Sequence, residues 1–115
     1  MTRMSLARLV LAAFLVTVPV YATAVSITDI VAAPESYSGQ QVTVVGTALD
    51  PRASYAGETV YTLSADDRRI TVFGRGNAPA SGERLEVTAK VGWREGDEEF
   101  TWPPILLETG RHPAP

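Results

Sequence analysis

The residues best suited to bind a ligand lie on one alternating segment of the chain. Residues 69–73 alternate in polarity, and Ile70 and Val72 are predicted to point inward. The outward-facing set is then Arg69, Thr71, Phe73 and Arg75. An aromatic ring between two guanidinium groups can stack on a base or a sugar and can hold an acidic group. The alternative is an ordinary exposed strand in which a loop covers Phe73.

Two further aromatic residues are candidate contacts. Tyr55 lies in the loop predicted after the first strand, although a loop tyrosine can instead pack over the core. Trp102 precedes two prolines and is predicted to be exposed, whereas Trp93 continues an inward-facing row and is predicted to lie in the core or at its rim. Tyr55 and Trp102 therefore join the candidate ligand-binding residues.

The sequence carries no recognisable catalytic or metal-binding pattern. It has no cysteine and one histidine, and it lacks the nucleophile-elbow, phosphate-loop and His-Glu-x-x-His motifs. Four acidic residues cluster near the last predicted turn: Glu95, Asp97, Glu98 and Glu99. Their spacing does not match an EF-hand calcium loop, and we interpret them as a solvated hairpin tip. We predict no catalytic residues, no metal site and no cofactor.

The start of the chain has the pattern of a secretory signal. Arg3 and Arg8 precede an apolar run at 9–20, and small residues at 22 and 24 suit cleavage after Ala24. An uncleaved membrane anchor is the alternative, but the run is shorter than a spanning helix needs and contains a proline. We therefore predict a signal peptide at 1–24, a periplasmic or secreted location, and no membrane span after cleavage. The remaining 91 residues hold 8 basic and 13 acidic side chains, a net charge of −5.

Periodicity and turn residues predict a short helix followed by five strands. Ser26 is a candidate N-cap of the helix, and Pro34 would end it. The predicted strands cover 41–49, 58–64, 69–73, 84–93 and 100–108. Residues 25–110 would form one domain with a disordered tail at 111–115. Five short strands, with a bend at Gly46 in the first, favour a small closed barrel over an open sandwich.

One segment resembles a known group of proteins. Residues 27–46, ITDIVAAPESYSGQQVTVVG, resemble the opening of exported bacterial OB-fold domain proteins, with a helix, a Pro-Glu-x-Tyr-x-Gly turn and a Val-x-Val-x-Gly strand. Residues 61–63, 70–72 and 82–87 continue the pattern. The resemblance implies an all-β, five-stranded Greek-key OB-fold barrel with a short N-terminal helix. It also implies ligand binding on the outer face of strands two and three, flanked by the loops between strands one and two and between strands four and five.

The sequence departs from related OB barrels in two places. Many OB barrels have a helix between strands three and four, where this sequence has only a loop at 74–83, so we expect the helix before strand one to close that end. Another exported OB barrel, the haem chaperone of cytochrome maturation, attaches haem through a histidine. The only histidine here is His112, and the tyrosine that follows the chaperone's histidine is missing, so we expect a surface histidine and no haem.

These observations lead to three hypotheses about function. The first is an exported, non-catalytic OB-fold binding module that recognises a small molecule, a glycan or a protein segment in the cell envelope. The second is a structural or assembly subunit of an envelope complex, which docks through a strand edge near Pro103 and Pro104 or through the tail. The third, binding of single-stranded nucleic acid, is disfavoured because phosphate binding needs positive charge. We expect a monomer.

Overall fold

The computed structural model describes residues 22–53 and 57–115. The helices are α1 (Ile27–Ala32) and α2 (Pro34–Tyr37). The strands are β1 (Thr23–Ala24), β2 (Gln41–Ala53), β3 (Glu58–Ala65), β4 (Arg68–Arg75), β5 (Arg84–Gly92) and β6 (Ile105–Pro113).

Five of the strands close into a barrel. The order is β2-β3-β4-β6-β5, and β5 returns to pair with β2. All neighbours are antiparallel except β4 and β6, which run parallel. This closed barrel of five strands confirms the predicted OB fold and excludes the open sandwich, because both edges of the sheet are paired with each other.

Strand β2 pairs with two neighbouring strands, β5 and β3, because it bends. Its first part pairs with β5 up to Thr47, and from Thr47 onward it pairs with β3. Gly46 is buried at the bend, where a Cβ atom would lie 2.8 Å from the Cγ atom of Leu63 and 2.8 Å from the carbonyl oxygen of Ser64. Only glycine allows this close approach of two strands, as the predicted bend requires. The strand runs to Ala53 rather than residue 49 because a bulge at Asp50, with φ of 52°, lets the pairing continue.

The core is formed by the inward-facing residues of all five strands and two residues of α1. Burial alternates along β4 and β5 as the sequence predicted, which places every second side chain inside. The largest fully buried side chains are Tyr61, Ile27, Ile30, Leu63, Leu85, Leu106, Val42, Val44, Val72, Val87 and Val91.

Helix α1 begins as predicted but covers a different end of the barrel. The Ser26 hydroxyl accepts a hydrogen bond from the backbone N–H of Asp29 at 3.0 Å. The helix contacts β4, and its Val31 lines the same recess as Ile70, near the first residues of that strand. The loop at 76–83 leaves from the other end of β4. Our expectation that the helix closes the loop end is therefore wrong.

Two corrections concern the last strand. It begins at Ile105 rather than residue 100, because neither Pro103 nor Pro104 can donate a hydrogen bond to a ladder. It also extends to Pro113, where it pairs with Leu85, and the Ala114 N–H donates to the Arg84 carbonyl at 3.0 Å. Most of the predicted tail at 111–115 is therefore strand.

The start of the described chain lies along the barrel. Strand β1 pairs in parallel with Val42 and Thr43, and the Val25 N–H donates to the Thr43 carbonyl at 3.0 Å. The predicted signal peptide lies outside the described residues except for 22–24. Within the ranges that the structure describes, no helix has the length and apolar character needed to cross a bilayer.

Candidate binding groove

The four residues predicted on the outer face of β4 all point outward. Arg69 and Arg75 are exposed, while Thr71 and Phe73 are half-buried between them. They do not form a single site, because neighbouring strands divide the face into adjoining recesses. Only Phe73 reaches the main groove of this surface.

The main groove lies between Phe73 and the connection from β5 to β6. It has a volume of about 670 Å³, and we call it the aromatic groove. Its lining residues are Phe73, Gly92, Trp93, Arg94, Phe100, Trp102, Pro103 and Ile105. The lining is apolar except for one guanidinium group. A concave apolar surface of this size, carrying one polar group, is typical of a ligand-binding site.

Connection 93–104 is folded by its own hydrogen bonds. The Asp97 carboxylate accepts from the backbone N–H groups of Glu99 and Phe100, both at 2.9 Å. The Asp97 N–H in turn donates to the Phe100 carbonyl at 3.0 Å. These bonds form a tight turn at the place where the acidic cluster was predicted to form a hairpin tip. The acidic cluster is therefore partly structural.

The two tryptophans are held together across this connection. The Trp93 indole N–H donates to the Trp102 carbonyl at 2.8 Å, which anchors the far end of the connection to the end of β5. Trp93 is half-buried at the rim, as predicted, and Trp102 is 38% exposed, which confirms its predicted exposure. Phe100 is 50% exposed and lies edge-on to Trp102, with ring centroids 4.4 Å apart. The groove wall is thus built from exposed aromatic rings.

A cation lies over the Trp102 ring. The Arg94 guanidinium carbon lies 4.0 Å from the ring centroid. This distance is well within the range of a cation–π interaction. The only ionisable side chain of the groove is therefore stacked on its most exposed tryptophan.

Two smaller recesses extend the groove along β4. One, of about 230 Å³, is lined by Arg69 and Thr71 and shares Pro103 with the aromatic groove. The other, of about 190 Å³, is lined by Arg75 and Leu107 and shares Phe73 with it. The described part of the chain exposes five large apolar residues, and four of them line these three depressions: Val31, Phe100, Trp102 and Leu107. Contiguous exposed apolar surface of this kind commonly marks an interaction site.

A second cluster of chemistry-bearing residues, largely shielded from water, joins Tyr61, Glu108 and Arg111, and we call it the buried charged cluster. Tyr61 is fully buried, and its hydroxyl donates to the Glu108 carboxylate at 2.5 Å. Arg111 forms a salt bridge with Glu108 at 3.1 Å and also donates to the Asn77 carbonyl. Burial, together with the hydrogen bond to Glu108, raises the pKa of the Tyr61 hydroxyl above its ordinary value of 10.0. Since every member already has a partner inside the protein, the cluster ties β3 to β6 and to the loop after β4.

The remaining predicted residues lie away from the groove. Tyr55 lies outside the described residues. His112 is exposed and contacts Glu86 at 2.6 Å, which agrees with a surface histidine. Within 22–53 and 57–115, no three histidine or acidic side chains lie close enough to hold a metal ion. Pro103 and Pro104, near which a docking strand edge was proposed, lie in connection 93–104 directly before β6.

Sequence reasoning missed Arg94 and Phe100 as groove residues. The sequence pattern predicts Phe100 in the strand at 100–108 and does not mark Arg94 as a contact. The consecutive prolines at 103 and 104 were the available signal, because neither can donate a hydrogen bond to a neighbouring strand before residue 105. The aromatic residues of the connection are therefore not buried by strand pairing. No local pattern indicates that Arg94 stacks on Trp102, eight residues later.

The fold and the groove together define an OB-fold domain with an aromatic groove beside its third barrel strand. No family model matches the chain, and no curated protein matches it. Among solved structures, an aspartyl-tRNA synthetase from Entamoeba histolytica aligns with 82% of this chain at 11% identity and a TM-score of 0.62. A protein assigned as an aspartyl-tRNA synthetase from Leishmania major Friedlin aligns with 85% at 15% identity and a TM-score of 0.61. This chain spans only 22% of the length of each, and identities this low show a shared fold and nothing more.

Proposed function

We propose that this chain is an exported, non-catalytic binding module that takes its ligand in the aromatic groove. The observation that carries the proposal is the exposure of Phe100 and Trp102 on a concave apolar surface. Exposing such rings costs free energy in water, which a bound ligand recovers by covering them. Arg94 is the single ionisable group of the lining, so the groove offers stacking and packing rather than acid–base chemistry.

The chain contains a built-in reporter for this proposal. It has two tryptophans, and both line the groove. Intrinsic tryptophan fluorescence therefore reports on this surface, and we would titrate the protein with neutral oligosaccharides, capped peptides and a single-stranded oligonucleotide. A saturable change with one class identifies a ligand class. No change with any class would contradict the proposal.

A pair of variants distinguishes groove binding from binding elsewhere. Trp102→Ala removes one of the two exposed rings of the groove and should weaken binding about tenfold or more, as loss of an aromatic anchor typically does. Val45→Ala truncates a comparably exposed side chain, 37% against 38%, in different recesses. It should leave affinity unchanged. Trp93 and backbone amide NMR signals report binding in the Trp102→Ala variant, and equal losses in both variants would place the site elsewhere.

Binding of single-stranded nucleic acid is the second candidate. It is favoured by the stacked Trp102 and Arg94, since aromatic rings with arginine can stack on bases, and by the fold shared with two proteins described as tRNA synthetases. The acidic side chains of connection 93–104 oppose it. An oligonucleotide whose affinity falls steeply between low and moderate salt would favour this candidate, and a weak or salt-independent response would remove it.

Export rests on the pattern at 1–24 and has its own test. Expression of the full chain in a bacterial host, followed by intact mass measurement of the periplasmic fraction, should give a protein that begins at Val25. Recovery of the uncleaved chain in the membrane fraction would instead support the anchor reading. Either result is independent of what the groove binds.

A further inference from the structure

We propose that the ligand of the aromatic groove is a basic segment of a partner protein, in which an arginine or lysine side chain lies beside apolar residues. This inference rests on the proposed function and adds to it the chemical class of the ligand. It depends on two observations, namely the position of Arg94 and the charges around the groove.

The first observation is that the Trp102 ring already binds a guanidinium group. Arg94 is followed by four acidic residues within the next five positions, yet its guanidinium lies over Trp102 and forms no salt bridge with any described carboxylate. The ring face is therefore an effective cation site even where carboxylates compete for the same group. A ligand guanidinium or ammonium can occupy the same position once Arg94 moves to the acidic side chains beside it.

The second observation is the charge of the rim. Glu95, Glu98 and Glu99 are all exposed, and within the described ranges none of them forms a salt bridge. Residues 22–115 carry 8 basic and 13 acidic side chains, so the domain as a whole attracts cations. The adjoining recesses carry Arg69 and Arg75. The exposed glutamates of connection 93–104 would nevertheless repel a phosphate-bearing or acidic ligand and attract a basic one.

The apolar lining selects a particular kind of cation. An isolated ammonium ion would leave Phe73, Phe100 and Ile105 uncovered. A protein segment that combines a basic side chain with apolar neighbours covers the rings and places its charge toward the rim.

The test uses three capped peptides that lack tryptophan and differ at one type of residue. The sequence alternates leucine with arginine, with citrulline or with glutamate, and binding is followed by fluorescence of Trp93 and Trp102. Citrulline keeps the shape of arginine without its charge. We expect the arginine peptide to bind about tenfold more tightly than the citrulline peptide at low salt, and the glutamate peptide not to bind.

Two protein variants examine the mechanism. Arg94→Gln removes the guanidinium that competes with the peptide for the Trp102 ring, and the affinity for the arginine peptide should rise about threefold. The same variant would lower the affinity for any ligand that binds through Arg94 itself. The double variant Glu98→Gln/Glu99→Gln should bind the arginine peptide with about threefold lower affinity. Asp66→Asn/Asp67→Asn is the matched control, since it removes the same charge from the turn between β3 and β4, and asparagine accepts the positive φ angles found there.

The outcomes separate this inference from the proposed function. Equal binding of the arginine and citrulline peptides, or weaker binding by Arg94→Gln, would overturn the basic-segment inference. If an oligosaccharide or oligonucleotide then binds in the groove, the proposed function stands without it. If no probe of any class changes the fluorescence, both fail.

Discussion

The aromatic groove and the buried charged cluster are built from similar residues but differ in their exposure to water. Each combines an aromatic ring with an arginine. In the cluster, the Tyr61 hydroxyl and the Arg111 guanidinium share the Glu108 carboxylate, and most of the surface of all three side chains is shielded from water. In the groove, Arg94 stacks on Trp102 at the surface, with no carboxylate paired to it among the described residues.

The two regions differ in whether their side chains already have partners within the protein. The polar groups of the cluster are satisfied within the protein, so removing one should cost stability and have no direct effect on binding. The apolar groups of the groove remain exposed to water, so removing one should cost binding and little stability. This comparison can be tested at single residues on both sides.

The largest effect is expected from Glu108→Ala. The change leaves the largely buried Arg111 guanidinium without its carboxylate partner and the fully buried Tyr61 without an acceptor for its hydroxyl. We expect the free energy of unfolding to fall by about 3 kcal/mol, measured by urea denaturation. Trp102→Ala should lower it by less than about 1 kcal/mol, since this ring is partly exposed. Similar losses in the two variants would break the comparison.

Alkaline pH should weaken the cluster specifically. Because burial and Glu108 raise the pKa of folded Tyr61, the folded state holds its phenolic proton more tightly than the unfolded state. The stabilisation is complete below pH 10 and is lost as pH rises above it, by up to about 1 kcal/mol per pH unit. Denaturation of the parent and of Tyr61→Phe at pH 8 to 11 checks this. The variant should show a flatter decline, and identical slopes would contradict the assignment.

Gly96→Ala should affect the groove without affecting the barrel. A Cβ atom on Gly96 would overlap the carbonyl oxygen of Phe100, so the turn that places Phe100 and Trp102 must open. We expect groove affinity to fall about tenfold, with less than about 1 kcal/mol lost in unfolding. Gly110→Ala is the matched control, because a Cβ there meets no atom within 4 Å. Unchanged affinity in Gly96→Ala would show that ligand binding does not depend on this turn.

The barrel can be predicted from the sequence because the features that indicate its strands, helix cap and bend are local. Alternation along β4 and β5, the cap at Ser26 and the bend at Gly46 each depend on neighbouring residues or on the absence of a side chain. The same reasoning correctly placed Phe73 and Trp102 on the outer surface.

The rest of the site depends on contacts that have no local pattern. Tyr61 and Glu108 are 47 residues apart, and they meet only because the barrel closes. The groove wall depends on the Trp93–Trp102 hydrogen bond and on the stacking of Arg94, both set by the path of connection 93–104. The predicted strand at 100–108 overlaps this connection, so the alternation pattern does not reveal that Phe100 and Trp102 lie together on an exposed surface.

The smallest effect is expected from Glu86→Ala, which is the surface counterpart of Glu108→Ala. Glu86 contacts His112 at 2.6 Å, a distance shorter than the 3.1 Å between Glu108 and Arg111. Distance alone would therefore make Glu86 the more important carboxylate. Its side chain is 36% exposed and that of His112 is 64% exposed, against 8% for Glu108 and 18% for Arg111. Because water competes for exposed charges, we expect the unfolding free energy to fall by less than about 0.5 kcal/mol. A loss as large as that of Glu108→Ala would mean that enclosure by the barrel does not decide what a paired carboxylate contributes, and the contrast between the cluster and the surface would have to be abandoned.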